Sequence, residues 1–363
     1  RELAAAELAS APDGEGSVGE IRSLHTAYYA RICEHAVPRL MGVRQRAVLD
    51  ELEEDMADIR KAFADAASDG DWYAEMRIAS SLRGYWLRRG PLSEAEAWLT
   101  SALAAGPEEA DLRAAVLLAA AGVATALRKH DVARERAEAA MTIAEERGDL
   151  FSVADAENRL GVVAFETGDV DGAVRAYSSC LATARRGGFT YWQAIAASNL
   201  GGVQAEQLHW SAAAESHAAA VEAFRELGDQ QALAVCLDNL GDALVRLGAY
   251  SDARQALGEA LRVRVALDDD PGIASSLEAF ARLAAFEGVH ERSARLLGAA
   301  ESLRGRIGAP MPLPARTALE ESLAGVGMDV TEASLAPFFE EGRSMDSAGA
   351  VAFALRDGWV VVN

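Results

Sequence analysis

Three phrases of this sequence repeat one pattern at a spacing of 40 residues. They are NRLGVVAFETGDVDGAVRAYSSCL (158–181), SNLGGVQAEQLHWSAAAESHAAAV (198–221) and DNLGDALVRLGAYSDARQALGEAL (238–261). Aligned on their glycines, the frame extends back to Gly122, at a spacing of 39, and forward to Ala281, at a spacing of 40, so five units share it. Such a period is typical of stacked supersecondary units, each of which buries its apolar face against the next.

Each unit reads as two helices joined by a short turn. In the third phrase the apolar positions predict helices over residues 232–247 and 251–267, with a turn at Gly248. The aligned small residues, together with alanines twelve positions later, predict that the two helices cross closely. Those alanines are Ala173, Ala213 and Ala253. The predicted caps of the second helices are Asp171, Ser211 and Ser251.

The segments NRLG, NLGG and NLGD resemble the first helix of the tetratricopeptide repeat (TPR), which carries L-G, and the alanine twelve positions later resembles the opening of its second helix. The resemblance implies an all-α fold, a right-handed α-solenoid of antiparallel helix pairs with an inner and an outer surface. The usual unit has about 34 residues, so a period of 40 implies about three extra residues in each helix or its connection.

Further helices are predicted on both sides of the array. Residues 82–106 fit a degenerate unit with Trp86 and Trp98 on packing positions, and two amphipathic helices precede it, the second ending near Asp69. Three prolines within residues 309–315 end the array. Short helices are then predicted at residues 316–325, 332–343 and 347–356.

The charge balance limits the partners of this polypeptide. Its net charge is −21 and its pI is about 4.7, so it would repel phosphates, and we expect no direct nucleic-acid contact and no membrane contact. Cys33, Cys180 and Cys236 lack C-x-x-C spacing, which favours buried thiols in a reducing cytoplasm. No uninterrupted apolar run reaches the roughly 18 residues of a membrane-spanning helix.

Motifs for enzyme chemistry are absent from the sequence. Neither Lys61 nor Lys129 lies in a phosphate-binding loop, and neither G-x-S-x-G nor H-E-x-x-H occurs. His209 and His217 lie eight residues apart, and we weigh packing or surface roles above a metal site. We therefore expect no catalytic residue, no metal and no cofactor in this chain.

Two acidic stretches are interpreted as structural. ELEED (51–55) reads as a solvated helix face, and DDDP (268–271) reads as a loop whose carboxylates cap the next helix. Calcium requires alternating oxygen ligands, a glycine bend and a distal glutamate, and neither stretch has that pattern.

Five segments spread over nearly the whole chain resemble the C-terminal half of bacterial STAND-type ATPase regulators, the large LuxR-like and SARP-like transcription factors. They are HTAYYARICEHA, LEEDMADIRKAF, WLRRGPLSEAEAWLTSAL, RLLGAAESLRGRIGAPMP and FFEEGRSMDSAGAVAFAL. The resemblance implies a sensor that binds a partner or ligand and controls an upstream ATPase and DNA-binding module, where ATP is expected. It also implies that residues 1–8, RELAAAEL, end a winged-helix segment.

The predicted organisation has three parts. Residues 1–70 hold the tail of the winged-helix segment and two capping helices. Residues 71–308 form the solenoid of about six helical pairs, and residues 309–363 form a proline-containing linker with the C-terminal helices.

The candidate binding residues lie on the first helix of each unit, because that helix lines the concave groove of TPR solenoids. Positions flanking the aligned small residue share a face by helical spacing. They are Asn158, Arg159, Phe165 and Glu166; Ser198, Asn199, Gln204 and Glu206; and Asp238, Asn239, Asp242, Val245 and Arg246. This ladder could hold a protein or peptide partner, or each asparagine could instead hydrogen-bond a neighbouring helix. We expect no cluster of lysine and arginine in the groove, which disfavours a clamp for a C-terminal carboxylate.

Two alternatives to the sensor stay open. The repeats alone would also suit a stand-alone TPR adaptor or peptide receptor. A small effector could instead bind between the solenoid and the C-terminal helices, near Phe338, Phe339 and Phe353, although such aromatics are more often core.

Overall fold

The computed structural model of the protein describes residues 15–40, 45–107, 111–311, 313–329 and 331–356. Within those residues the chain forms 18 α-helices and no strand. The predicted end of a winged-helix segment at residues 1–8 lies outside them. No described helix is both long and apolar enough to cross a membrane.

The helices follow one another with short connections. The N-terminal helices are α1 (Glu15–Arg39), α2 (Gln45–Asp69), α3 (Trp72–Ser81), α4 (Arg83–Trp86) and α5 (Leu92–Ala105). The repeat helices are α6 (Arg113–Ala126), α7 (His130–Arg147), α8 (Leu150–Glu166), α9 (Val170–Gly187), α10 (Thr190–Glu206), α11 (Trp210–Leu227), α12 (Gln230–Arg246), α13 (Tyr250–Ala266), α14 (Asp270–Phe286) and α15 (His290–Ile307). The C-terminal helices are α16 (Leu313–Ala324), α17 (Ala336–Arg343) and α18 (Ser347–Ala354).

The predicted helix–turn–helix unit is confirmed. In the third phrase the helices begin and end within two residues of the predicted bounds, at Gln230–Arg246 and Tyr250–Ala266. The second C-terminal helix begins at Ala336 rather than 332, because Pro337 occupies its first turn, where the fixed φ of proline suits a helix start.

At every twentieth position through the repeats, one residue has the left-handed backbone conformation, with a positive φ, and this spacing sets the period of the repeats. Within the pairs it is Arg128, Gly168, Leu208, Gly248 and Gly288, and between pairs it is Gly148, Gly188, Gly228, Asp268 and Gly308. Each ends a helix, since a positive φ cannot continue it. Most are glycine because that conformation strains residues with a Cβ. Helices of 17 or 18 residues, as in α8 and α9, plus these turns give the 40-residue repeat.

The predicted helix caps Asp171, Ser211 and Ser251 are wrong. The helices begin at Val170, Trp210 and Tyr250, so all three residues lie inside the first turn. The capping position is the residue after the left-handed one, and Asp169 there accepts a bond from the Gly172 amide at 2.8 Å. The cap predicted in DDDP is confirmed, because Asp269 accepts the Gly272 amide at 3.0 Å.

The close crossing of paired helices is confirmed, but its partner residue differs from the predicted one. A Cβ on Gly161 would lie 2.5 Å from the Tyr177 ring, and one on Gly241 would lie 2.5 Å from Leu257. Gly201 stands in the same relation to His217, at 2.7 Å. The side chain sixteen positions later, not the alanine twelve later, covers the glycine.

The chain divides into two compact bodies. The N-terminal body comprises residues 1–196 and 227–229, and the C-terminal body comprises 197–226 and 230–363. This division does not test the boundaries predicted at residues 70 and 308, which stay predictions.

The core of the N-terminal body is mainly aliphatic and also contains buried aromatic residues. Trp86 is fully buried, and Trp98 stacks on Phe63 with ring centroids 4.1 Å apart, which confirms the predicted packing of both tryptophans. Helices α1 and α2 pack on each other and on α3. The core of the C-terminal body is aliphatic, with Leu257, Leu261, Leu277 and Leu296 buried between paired helices, and α17 and α18 pack against α15.

Candidate functional site

A cleft of about 430 Å³ opens in the N-terminal body beside two of the predicted binding residues, Asn158 and Arg159. Its walls come from α1, α3, α4, α6, α8 and α10. We name it the Arg83 cleft. The lining residues used below are Val37, Arg83, Leu87, Arg88, Phe151, Asp155, Arg159, Tyr191 and Trp192.

A buried aspartate shared by two arginines lies in the Arg83 cleft. Arg83 Nη1 donates to Asp155 Oδ2 at 2.5 Å, and Arg159 Nε lies 2.9 Å from Asp155 Oδ1. The Asp155 side chain is only 2% exposed. Burial disfavours its charged form, but the guanidiniums of Arg159 and Arg83 outweigh burial and hold the pKa of Asp155 below its ordinary value. The carboxylate therefore stays ionised at neutral pH.

One carboxylate between two guanidiniums leaves a surplus positive charge. Burial lowers the pKa of Arg159 despite Asp155, and the neighbouring Arg83 lowers it further. Arg88, exposed at the cleft, adds a third guanidinium whose Nη1 donates to the Gly84 carbonyl at 3.1 Å. The charged residues that line the cleft are thus three arginines and one aspartate, a net charge of +2 in a chain whose total is −21.

Close packing places Arg159 where it can reach Asp155. Its Nη1 lies 2.5 Å from the position that a Cβ on Gly122 would occupy. Gly122 directly follows Ala121, the residue 40 positions before Gly161, so a glycine beside the aligned position accommodates a guanidinium from the next pair.

Apolar side chains that are partly open to solvent also line the cleft. Val37, Leu87 and Phe151 are 38, 40 and 41% exposed, respectively, and all three line the cleft. Tyr191 and Trp192 contact each other edge to face at 5.3 Å, and Phe151 lies 5.8 Å from the Trp192 ring. Large apolar side chains gathered around a concavity are typical of ligand-binding surfaces.

The Trp192 indole is a buried donor without an acceptor. The residue is 3% exposed, and among the described residues its Nε1 has no hydrogen-bond partner. Burial raises the pKa of the neighbouring Tyr191, against the opposite effect of Arg83 and Arg88. The cleft therefore combines cationic and neutral donors.

Predicted residues of the third phrase meet at a smaller cavity in the C-terminal body. Asp238, Asn239 and Asp242 line a cavity of about 280 Å³ together with Arg264 and Arg282. The Asp238 carboxylate lies 2.7 Å from Arg264, and Asp242 lies 2.5 Å from Arg282. Asn239 is exposed there.

The ion pair of Asp238 recurs one repeat later. Glu278 and Arg304, each 40 positions on from Asp238 and Arg264, pair at 2.6 Å. Both pairs join the first helix of a unit to the second, so the acidic residue at this position links the two helices of the unit. Asp238 and Asp242 are already paired within the protein, which assigns them to packing more readily than to ligand binding.

The other predicted residues line none of the cavities described in this section. Arg246 lies between the rings of Trp210 and Phe286, 5.2 Å from each centroid, and donates to Ser322 Oγ at 2.9 Å. Ser198 accepts from the Cys236 thiol at 3.4 Å, and Gln204 accepts from Ser216 at 2.8 Å. Glu166 lies 3.5 Å from His130 Nδ1. Phe165 and Asn199 are half-buried, Val245 is buried and Glu206 is exposed.

The sequence prediction found Arg159 but missed the other two arginines of the Arg83 cleft. Arg83 and Arg88 belong to the degenerate segment before the repeats, so repeat alignment did not place them beside Arg159. A signal existed in the sequence: Asp155 stands within the apolar run of α8, between the buried Ala154 and Ala156. A charge at such a position requires a partner.

The aromatic residues near the C-terminus are largely engaged. Arg295 lies 4.4 Å over the Phe338 ring, and Arg292 lies 5.1 Å over Phe353. Phe339 lines a cavity of about 220 Å³ with Leu297 and Leu319, among others. Within the residues that the structure describes, no group of three or more histidine, cysteine or acidic side chains is arranged to hold a metal ion.

No protein-family model and no curated protein matches this sequence. Solved structures are similar. One is a signal transduction ATPase with numerous domains (STAND) protein with a tetratricopeptide repeat sensor from Pyrococcus horikoshii, at 12% identity and a TM-score of 0.55, over 92% of this chain and 55% of that one. A Rap protein complexed with competence and sporulation factor gives 14% identity and a TM-score of 0.54, over 88% and 99%. Aspartyl phosphate phosphatase F from Bacillus subtilis gives 11% and 0.53, over 88% and 96%.

These similarities show the fold. The chain is an all-α TPR-like solenoid of antiparallel helix pairs, and the structures it resembles include a STAND protein with a repeat sensor.

Proposed function

We propose that this chain is the non-enzymatic sensor and protein-interaction region of a bacterial transcriptional regulator. It binds a protein or peptide partner, or a small effector, and through that binding controls an ATPase and DNA-binding module upstream in the same polypeptide. Nucleotide binding belongs to that module, and this chain acts in the cytoplasm without a metal or cofactor of its own and without touching nucleic acid or membrane.

The observation that carries the proposal is the Arg83 cleft. Asp238 and Asp242, the acidic candidates at the cavity of the C-terminal body, are paired with arginines of the same body, whereas the cleft keeps surplus guanidinium charge beside partly exposed apolar side chains. A binding region needs such unsatisfied chemistry at a concave surface. Three buried cysteines, none in a disulfide, fit a reducing cytoplasm.

The likeness to the STAND protein supports the regulatory part. That protein carries a repeat sensor, and this chain aligns over 92% of its own length with 55% of it. An alignment of nearly all of this chain with about half of that protein is what we expect if this chain corresponds to the sensor region of a larger regulator.

The test uses the whole natural polypeptide that contains this chain. We expect a nucleotide-binding domain in it, and we expect ATP turnover and promoter binding to change when a ligand or partner saturates the repeat region. The variant Arg83→Gln should lose that response, whereas Arg225→Gln, which removes only surface ion pairs with Glu222 and Glu259, should keep both the response and the basal turnover. A whole polypeptide without a nucleotide-binding domain would overturn the regulator.

A second candidate is a stand-alone TPR adaptor or peptide receptor. The Rap protein solved with competence and sporulation factor favours it, because 99% of that chain aligns here without a further domain. This candidate predicts saturable partner binding by the chain itself and no associated ATP turnover, so the same experiment separates the two.

A further inference from the structure

We infer that the Arg83 cleft binds a carboxylate attached to an apolar group, either the C-terminus of a peptide ending in an apolar residue or a free organic acid. The inference rests on the proposed binding function and names the chemistry of the ligand. It follows from charge, hydrogen-bond donors and exposed apolar surface that converge in one cleft of about 430 Å³.

Charge selects an anion. Asp155 neutralises one of its two arginines, and Arg88 adds a further positive charge, so the lining is net positive in a strongly acidic chain. Asp229 adds negative potential at Tyr191 but is itself buried and does not line the cleft. An entering anion would therefore relieve the repulsion between guanidiniums that Asp155 only partly offsets.

The donors suit a planar, singly charged group. A guanidinium presents parallel N–H groups that match the two oxygens of a carboxylate. Arg83 already gives Nη1 to Asp155, and 27% of its side chain remains exposed. The buried Trp192 Nε1 is a neutral donor without a partner among the described residues, and a buried donor gains from any acceptor.

The apolar wall requires more than a bare ion. Val37, Leu87 and Phe151 expose apolar surface around the cleft, which a hydrated inorganic anion would leave in contact with water. A ligand with an apolar or aromatic group next to its carboxylate would cover that surface while the arginines hold the charge.

The experiment measures equilibrium binding of defined probes to the full chain. The probes are N-acetyl-Ala-Ala-Ala-Phe and N-acetyl-phenylalanine, each as the free acid and as the amide, with inorganic phosphate as the plain anion. Because hydrogen bonds to charged groups contribute about 1.5–3 kcal/mol, we expect each acid to bind at least about tenfold more tightly than its amide. The peptide and the single residue distinguish the two sources of the carboxylate.

Variants locate the binding. Arg83→Gln should weaken the binding of each acid to the level of its amide. The indole N–H resonance of Trp192, assigned by comparison with Trp192→Phe, should shift when an acid binds the wild type. If Arg83→Gln does not fold, Arg88→Gln serves instead, because Arg88 is exposed and its one hydrogen bond above is to the nearby Gly84 carbonyl. Arg225→Gln, which removes surface ion pairs with Glu222 and Glu259, is the matched control and should bind like the wild type.

Three outcomes overturn the inference: acid and amide binding alike, phosphate binding as tightly as the acids, or none of the acids binding. These outcomes can be told apart from a failure of the proposed function. If a peptide or protein partner binds the wild type and Arg83→Gln equally well, the chain is still a binding region, but the carboxylate site is ruled out.

Discussion

Arg83 and Asp155, separated by 72 positions in the sequence, bond at 2.5 Å and join α4 to α8. The carboxylate also contacts Arg159 on its own helix at 2.9 Å. This contact ties the segment before the repeats to the second repeat pair. It leaves the Arg83 cleft with a surplus positive charge, so stability and the proposed ligand binding depend on the same residues.

Asp155→Asn should destabilise the protein more than Arg83→Gln. The first change leaves the largely buried Arg159 and the partly exposed Arg83 without a counter-charge, for which we expect a loss of about 3 kcal/mol, whereas the second leaves Asp155 paired with Arg159. Urea unfolding monitored by circular dichroism measures both. The control Asp50→Asn removes a surface pair with Arg89 and should cost less than about 1 kcal/mol. Equal losses for Asp50→Asn and Asp155→Asn would show that the buried pair is not special.

Because of His217, the free energy of unfolding should fall as the pH is lowered from 6.5 to 4. Burial over Gly201 lowers the pKa of His217 from 6.5 to about 4, against the effect of Asp242. The unfolded chain therefore takes up a proton as pH falls through 6.5 and the folded form only near 4, so the free energy of unfolding falls across that interval by on the order of 2–3 kcal/mol.

The variant His217→Leu isolates this effect. Leucine is the residue at the aligned position 257, where it covers Gly241 in the same way. Burial raises the pKa of Asp238 to about 6, despite Arg264, so Asp238 makes the free energy of unfolding rise as the pH falls. That contribution is common to both proteins and cancels when their pH profiles are subtracted. Identical pH profiles for wild type and variant would contradict a depressed histidine.

Leu208→Gly should stabilise the protein. Leu208 has φ of 60° at a turn where three of the five aligned residues are glycine, and it is 69% exposed, so it gains little from packing. Relief of the backbone strain at the positive φ outweighs the greater entropy that glycine gives the unfolded chain. We expect the free energy of unfolding to rise by about 0.5–1 kcal/mol, measured by thermal melting. The exposed Leu247, which does not have a positive φ, is the control, and Leu247→Gly should lose stability.

Gly298→Ala should loosen the contact between α15 and α17. A Cβ on Gly298 would lie 2.1 Å from the Phe339 carbonyl oxygen, a backbone atom that cannot turn aside. We expect a loss of about 1–3 kcal/mol. Gly305→Ala in the same helix meets no atom within 4 Å and should be neutral or slightly stabilising, since alanine favours helices. Thermal melting of both variants measures the two changes in stability. A loss for Gly298→Ala alone would show that the close contact with Phe339, rather than helix propensity, determines the effect.

The sequence predicted the repeat helices well because their signals are local. Apolar spacing and the turn residue at every twentieth position lie within one helix length of what they determine, and the bounds of α12 and α13 were correct to within two residues. The caps were wrong because aspartate and serine favour both the capping position and the first turn, and only the preceding left-handed residue decides between them.

The candidate site was predictable only in part. Repeat alignment found Asn158 and Arg159, and comparing positions 264 and 304 could have revealed the arginines paired with Asp238 and Glu278. The Arg83 contact depends on how a segment outside the repeat packs against it, and the sequence around Arg83 carries no sign of its partner.

The most direct measurement is hydrogen exchange of the full chain with and without N-acetyl-Ala-Ala-Ala-Phe. If the Arg83 cleft is the binding site of a sensor, exchange should slow in α4 and α8 of the wild type and remain unchanged in Arg83→Gln. Slowing that persists in Arg83→Gln, or no slowing anywhere with either this peptide or N-acetyl-phenylalanine at high concentration, would contradict it.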